Sequence, residues 1–431
     1  MNAKRFFITV LASAALAWAV WQSARSGLAR TLGESALATA QINKADEAVK
    51  LSPNDAETHC VRGVLLEQAE DSAQAQLEVE CAVQLRPRDY STWLLLGITR
   101  DENRDQEGAR LAFRQSTALA PAYAQPHWLL GNLLLRMDQP DEAFAELRKA
   151  ASSNPELLPN VIDLAWGIYH GDRSAVLAAV PPQTDAARLE LAIFFARHQQ
   201  SIAAADQFLS AGDAPSKKAE SLLADLLTAR AFGDAYRVWA RIHGLPATDA
   251  IGTIRDPGFE SPITVGESGF GWQIAPDIPN VTMSVDTGEH ESGSKSLRIE
   301  FHGNSNPSQP LLTQLILLKP RTKYHLSFAA MGRDLVSAGL PVIILRDASD
   351  SAQAMLGQSP PLRSDVTGWR EFSIDITTGA KTDAILLSVE RQNCNADPCP
   401  AFGTLWLDSV SIEARIGAVA DREGGRESSG Q

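Results

Sequence analysis

The sequence has no run of basic residues, no assembled catalytic motif and only four cysteines among 431 residues. The first absence argues against nucleic acid. A phosphate-binding face needs clustered Lys and Arg, and the formal net charge here is −13. An acidic balance of that kind favours solubility. No H-E-x-x-H, G-x-S-x-G, P-loop or G-x-G-x-x-G in strand–helix context occurs. Asp and Glu are plentiful, but nothing in the sequence arranges a carboxylate pair for glycoside hydrolysis. The expectation is a protein without enzymatic activity and without a catalytic cofactor. Cys394 and Cys399 lie in "NCNADPCP", a polar turn with no two further zinc ligands nearby. In an oxidising compartment that pair reads as a loop disulfide.

What is present begins with a 44% apolar composition and a length that calls for two or more domains. The N-terminus, "MNAKRFFITVLASAALAWAVWQSARS", places Lys4 and Arg5 before 16 uncharged, mostly apolar residues from Phe6 to Trp21. A full span takes about 20 residues. The run fits a signal-peptide core, a short signal anchor or a buried helix. No small-x-small site closes it, which favours an uncleaved anchor over residues 1–30. Trp18 and Trp21 suit a membrane interface, whereas Arg25 and Arg30 weaken the charge contrast across it. Either export reading puts the remaining chain outside the cytoplasm, anchored in an inner membrane with its bulk in the periplasm or beyond.

Prolines fall at 53, 87, 121 and 155, a spacing of 34 three times running. Each closes a related phrase: "AVKLSPND", "AVQLRPRD", "STALAPAY", "AASSNPEL". Gly63, Gly97 and Gly131 recur at one phase, and Ala75, Ala109 and Ala143 at another. Small residues there let two helices of a hairpin approach closely. Trp93, Leu96, Phe113 and Ala82 fill the remaining core slots. A fixed period of this length marks a helix–turn–helix solenoid. The segment "WLLLGITRDENRDQEGARLAFRQSTALAP" (93–121) resembles the tetratricopeptide repeat family, and the resemblance covers residues 35–155. It implies a superhelix whose concave groove takes a protein or peptide partner. His59 and His127 stand where the family often has Trp; they read as pocket ligands or as half-buried hairpin residues. Cys60 and Cys81 lie at ends that an antiparallel hairpin brings together, as a disulfide or as two free thiols. From 157 to 244 helical patterning continues without the period, as degenerate repeats, and residues 245–254 read as a linker.

After residue 254 the pattern changes to period 2. "SKSLRIEF", "LTQLILL", "KYHLSFAA", "PVIILRDA", "WREFSIDI", "AILLSVERQ" and "TLWLDSVSIE" are short strands split by turn residues, which predicts an antiparallel sandwich. Alternation puts Tyr324, Leu326 and Phe328 in its core. The fold class expected is therefore multidomain α + β: a membrane helix, an all-α solenoid over 31–156 extended to 244, and a β-sandwich over 255–414. The tail from 415 to 431 is too charged and Gly-rich to pack.

In order, "DPGFE", "GFGW", "HESGSKSLRI", "LLKPRTKYHLSF", "GWREFSIDI" and "GTLWLDSVSI" resemble carbohydrate-binding modules of the CenC type. The resemblance implies a jelly roll in which Gly258 and Phe259 enter the first strand and Trp272 closes the first hairpin. Sugar recognition needs planar polar side chains for hydroxyls and an aromatic for the pyranose face. Gln314, Glu390, Gln392 and Asn304 are the polar candidates and Trp272 the aromatic one. Such modules commonly hold a structural calcium. By resemblance Glu260 and Asp408 would supply its carboxylates, and backbone carbonyls near Ser294 and Lys295 the rest. The combined expectation is a non-catalytic envelope adaptor for a polysaccharide and a protein partner. The alternative is a protein scaffold whose sandwich binds no sugar.

Overall fold

The computed structural model describes residues 3–212, 216–246, 251–263, 269–364, 368–394 and 398–415. The linker residues 247–250 and the tail from 416 lie outside the described residues. The chain divides into two compact units, Met1–Pro182 and Gln183–Gln431.

The first unit is a series of helical hairpins. α1 (Ala3–Thr39) pairs with α2 (Ile42–Leu51), and α3 (Ala56–Gln68) with α4 (Ser72–Leu85). α5 (Tyr90–Glu102) pairs with α6 (Gln106–Leu119), and α7 (Ala124–Arg136) with α8 (Pro140–Ser153). A short 3-10 turn then leads to α9 (Leu158–Ile168) and α10 (Arg173–Ala179). The 34-residue period is written into the turns. Glu70, Arg104 and Asp138 each adopt a left-handed φ, 61°, 63° and 57°, to reverse the chain inside a hairpin. Asp55, Asp71, Asp89 and Asp105 accept backbone N–H groups at the next helix starts, satisfying donors that would otherwise be orphaned. Ala75, Ala109 and Ala143 are fully buried. A Cβ added to Gly97 would lie 2.3 Å from the Phe113 ring, and one on Gly131 2.6 Å from Leu147 Cγ. The glycine therefore sets how closely the two helices pack.

α1 has two halves. Phe6, Phe7, Trp18 and Trp21 are exposed, and Phe6–Thr39 is long and apolar enough to cross a membrane by length and composition. Further along, Ala29 and Ala36 are fully buried, Arg25 donates to the Leu51 carbonyl, and Arg30 pairs with Asp55 at 2.8 Å. Packing on the hairpins thus begins at Arg25.

The second unit starts with α11 (Asp185–Arg197), α12 (Ser201–Leu209), α13 (Ser216–Thr228) and α14 (Phe232–Ile242). Tyr236 and Trp239 of α14 pack edge-on against Phe270, with ring centroids 5.1 and 5.7 Å away. Among the described residues ten strands follow: β1 (Gln273–Ile274), β2 (Val281–Asp286), β3 (Ser296–Asn304), β4 (Leu312–Leu317), β5 (Lys323–Ser337), β6 (Pro341–Asp347), β7 (Met355–Gln358), β8 (Arg370–Thr377), β9 (Ala384–Arg391) and β10 (Pro400–Ala414). They form two antiparallel sheets, ordered β1-β4-β9-β6-β7 and β2-β3-β10-β5-β8. Consecutive strands from β3 to β6 alternate between the sheets, as do β7 to β10, the order of a jelly roll, with β1 and β2 added at the edges. One core joins both layers through Leu297, Phe301, Phe328, Leu345, Leu387 and Leu405. Tyr324, Leu326 and Phe328 are in that core as alternation predicts.

The segment 255–263 is not a strand, contrary to expectation. The Asp256 carboxylate accepts the N–H groups of Glu260 and Ser261 and folds the segment into a turn, so Phe259 enters the core at φ 55°. Residues 264–268 lie outside the described residues.

Candidate functional site

On β9, Ile385, Leu387 and Val389 belong to the core, which turns Leu386, Ser388 and Glu390 to the opposite face. On β6, Ile343 and Leu345 do the same, turning Val342, Ile344 and Arg346 outward. The register sets Val342 opposite Glu390 and Ile344 opposite Ser388. Arg346 therefore reaches diagonally across Ser388 to Glu390. Its Nη1 donates to Glu390 Oε1 and, at 3.1 Å, to Ser388 Oγ; its Nη2 donates to Glu390 Oε2 at 2.9 Å. Ser388 Oγ donates to Glu390 Oε1 at 2.6 Å. These groups floor a cleft of about 450 Å³, also lined by Ser308, Gln358, Arg391, Gln392 and Asn393.

Glu390, in the floor, and Gln392, in the wall, are thus brought together in one cleft. The other sugar-site candidates lie elsewhere. Gln314 shares the parity of the core residues Leu312 and Ile316 and is completely buried. Its Oε1 accepts the Arg255 N–H and its Nε2 donates to the Arg255 carbonyl, both at 3.0 Å. No hydrogen-bonding capacity of that amide faces a ligand. Trp272 is only 5% exposed, stacked on Phe259 at 4.9 Å, with its indole N–H on the Asp256 carbonyl. It is a core wedge rather than a platform. Asn304 Oδ1 accepts the Cys399 N–H and so anchors the disulfide loop. Arg346, Ser388, Gln358 and Asn393 escaped the sequence reading. The available signal was parity: in "PVIILRDA" a charge stands on the outward phase of an otherwise apolar strand.

Arg391 secures one end of the cleft. It is 3% exposed, and all its donors meet neutral acceptors. Nε donates to the Gly339 carbonyl, Nη1 to the Ser305 carbonyl and hydroxyl, and Nη2 to Ser337 Oγ and the Cys399 carbonyl. Burial without a carboxylate lowers its pKa from the usual guanidinium value. Cys394 and Cys399 form a disulfide with Cα atoms 5.9 Å apart, next to this hub.

Glu260 and Asp408 meet around Gly258. Glu260 Oε1 accepts the N–H groups of Ser294 and Lys295, and Oε2 accepts the Ser294 hydroxyl. The Lys295 ammonium donates to the Glu260 carbonyl. Asp408 Oδ2 accepts two N–H groups, from Glu291 and Ser292, and Oδ1 accepts one from Ser409. Calcium takes six to eight oxygens converging on one point. Here the carboxylates point at N–H donors and an ammonium takes the carbonyl, and no cluster of three His, Cys, Asp or Glu occurs among the described residues. The set does not fit a calcium cage. Amide dipoles and Lys295 provide the positive charge that a cation would bring, which lowers the Glu260 pKa chiefly through the Ser294 hydrogen bonds.

In the hairpin unit one slot recurs at 59, 93 and 127. Trp93 donates its indole N–H to the Pro87 carbonyl at 2.9 Å. His59 Nε2 meets the Pro53 carbonyl at 2.9 Å and His127 Nε2 the Pro121 carbonyl at 3.1 Å. Each imidazole therefore does the work of an indole and has a second nitrogen left over. That nitrogen meets Glu78 at 2.6 Å in one repeat and Glu146 at 2.5 Å in the other.

Residues 124–157 match the family model of the tetratricopeptide repeat. The chain carries a tetratricopeptide repeat. No curated protein matches the chain. Among solved structures, MamA aligns at 19% identity over 36% of this chain and 91% of its own, with a TM-score of 0.32. Pseudomonas aeruginosa PilF aligns at 15% over 52% and 92%, with a TM-score of 0.31. The tetratricopeptide domain of Arabidopsis OM64 aligns at 21% over 27% and 98%, with a TM-score of 0.25. Likenesses at this level carry no argument about activity.

Within the tetratricopeptide slot, Cys81 Sγ lies 3.7 Å from His59 Nε2, with Glu78 on the far nitrogen. The order imitates a nucleophilic triad, but Nε2 is directed at the Pro53 carbonyl and has no lone pair for the thiol proton. Burial raises the Cys81 pKa, and pushes the Cys60 thiol up to about 12, so neither is poised as a thiolate. Both cysteines are free, which corrects the disulfide alternative for Cys60 and Cys81. Both ring nitrogens of His59 and His127 are committed within the hairpin, which removes them as pocket ligands.

Proposed function

We propose that the chain is a non-catalytic adaptor of the cell envelope. α1 anchors it in the inner membrane, the tetratricopeptide hairpins receive a protein or peptide partner, and the sandwich contacts a glycan in the periplasm or outside the cell. The observation that supports glycan contact is the cleft between β6 and β9. Of the predicted polar residues, Gln392 lines it and Glu390, 5% exposed and bonded to Arg346 and Ser388, forms its floor, with the planar side chains of Gln358 and Asn393 beside them. Sugar hydroxyls leave water only where such groups replace their hydrogen bonds. The architecture suits polysaccharide assembly or export. The test is retention of polysaccharide by the full chain in detergent micelles. Glu390→Gln, which keeps the side-chain shape but removes the charge beneath the cleft, is expected to reduce retention about ten-fold. Unchanged retention would place the glycan elsewhere.

The second reading is a protein scaffold with a sugar-blind sandwich. One observation favours it: among the described residues no aromatic side chain lines the cleft to stack on the apolar face of a neutral pyranose. Under this reading the full chain retains no polysaccharide at all.

A further inference from the structure

Glu390 is the carboxylate of this cleft and Arg346 the guanidinium that faces it, whereas Arg391 has the inward parity of Leu387 and Val389 and spends its guanidinium on Ser305, Ser337, Gly339 and Cys399.

Arg346 also has an unused edge. A guanidinium offers two forked pairs of N–H donors, the Nη1/Nη2 end and the Nε/Nη2 side. Glu390 takes the first pair end-on. The Nε–H and the second Nη2–H have no protein partner among the described residues. That side fork matches the spacing of the two oxygens of a carboxylate. Gln358 and Gln392, whose carboxamides likewise have no hydrogen bond among the described residues, line the same cleft. They add donors and acceptors suited to hydroxyls. A fork for a carboxylate beside amides for hydroxyls, with no aromatic platform among the described residues, is the chemistry of a uronate rather than of a neutral sugar.

We propose that the β6–β9 cleft is selective for acidic glycans, with the Nε/Nη2 edge of Arg346 receiving a sugar carboxylate and Gln358 and Gln392 the neighbouring hydroxyls. This rests on the glycan reading above. The Arg346–Glu390 pair then works as a unit: Glu390 holds the guanidinium flat against the sheet, and the guanidinium offers its second fork to the ligand.

The experiment is titration calorimetry of the full chain in detergent with an oligogalacturonate, its methyl ester and a neutral oligoglucan. The ester keeps size and shape but removes the charge. The free acid is expected to bind about ten-fold or more tightly than the ester. Arg346→Lys keeps the charge but loses the fork, and is expected to remove most of that preference. Gln358→Ala with Gln392→Ala, at the cleft wall, is expected to weaken acid and ester alike, and serves if Arg346→Lys does not fold. Equal binding of acid and ester, or a preference for the neutral glucan, overturns the acidic selectivity and leaves the glycan reading in place. Binding of none of the three overturns both. Binding of a carboxylate-terminated peptide in place of the sugars assigns the fork to a protein ligand and likewise overturns the proposal.

Discussion

His127 bridges the Glu146 carboxylate and the Pro121 carbonyl. His127 Nδ1 lies 2.5 Å from Glu146 Oε2, and its Nε2 lies 3.1 Å from the Pro121 carbonyl oxygen. Both ring nitrogens face acceptors, so both contacts are hydrogen bonds only when the ring donates twice or Glu146 carries the proton. His59 repeats the arrangement with Glu78 and Pro53, and Arg62 donates to the other Glu78 oxygen. Where Trp stands at 93 no second nitrogen exists and no such pair forms.

The pH dependence of the repeat follows from Glu146. Burial pushes its pKa up, but hydrogen bonds from Lys149 and His127 outweigh burial and leave it below the usual carboxylate range. A carboxyl with a lowered folded pKa binds fewer protons folded than unfolded. Its contribution is present above the unfolded glutamate value of about 4.3 and is lost as pH falls through the folded value. Glu146→Gln is expected to cost about 1–2 kcal/mol at pH 7 and to flatten the acid limb of the stability curve. Urea melts at pH 7 and below pH 4 measure both; an unchanged acid limb would mean that the pair carries no such linkage.

The hairpin glycines set the repeat spacing. Gly97→Ala would drive a methyl into the Phe113 ring, and Gly131→Ala would meet Leu147 Cγ at 2.6 Å and the Ala143 carbonyl at 3.1 Å. Each is expected to lower stability by about 1–3 kcal/mol through overpacking, although alanine is the better helix former. Denaturant titration decides it, and a stabilised Gly97→Ala variant would show that the helices part at no cost.

Arg255 sits 5.4 Å from the Tyr236 ring centre and 5.8 Å from that of Trp239, with Nε and Nη2 buried and without a hydrogen-bond partner among the described residues. Burial lowers its pKa. Replacing a guanidinium that holds two buried, unbonded nitrogens by an apolar side chain of similar length removes a desolvation cost. Arg255→Met is thus expected to leave stability unchanged or raised, whereas Arg255→Ala, which also loses the packed stem, lowers it by about 1–2 kcal/mol. Calorimetric melting of the two variants separates charge from packing; equal losses would show that the cation–π contacts dominate.

The Glu260–Asp408 staple should not respond to metal. Chelator is expected to leave the melting temperature of the full chain unchanged, and added calcium to leave it unchanged as well. Replacing Lys295 with Met, by contrast, should loosen the turn. A rise of several degrees with calcium would restore a metal cage at this site.

Much of the fold is legible because it repeats. The 34-residue spacing of Pro53, Pro87 and Pro121 marks the hairpins, since every repeat must meet the same packing demand on its neighbour. Strands β3 to β6 and β8 to β10 are also visible, since a half-buried strand writes its two faces as alternation. The two-residue β1 is too short to show a period. β2 and β7 escaped because neither has a fully buried residue to mark an inward face, whereas the edge strand β8 buries Ile374 and Ile376.

The candidate site divides in the same way. Residue type alone marked Glu390 and Gln392 as polar groups on a strand and Gln314 equally so. Sequence carries the parity of each residue along its own strand but not which parity faces inward when polar and apolar residues mix. Only the pairing of β9 with β4 and β6 shows that Gln314 turns into the core to hold Arg255, while Glu390 turns outward to Arg346, 44 residues away in sequence. Local periodicity determined the helices, the strands and their order. The partners of each charged side chain were decided by the tertiary structure, because a charge settles on whichever opposite group the folded sheets bring within reach.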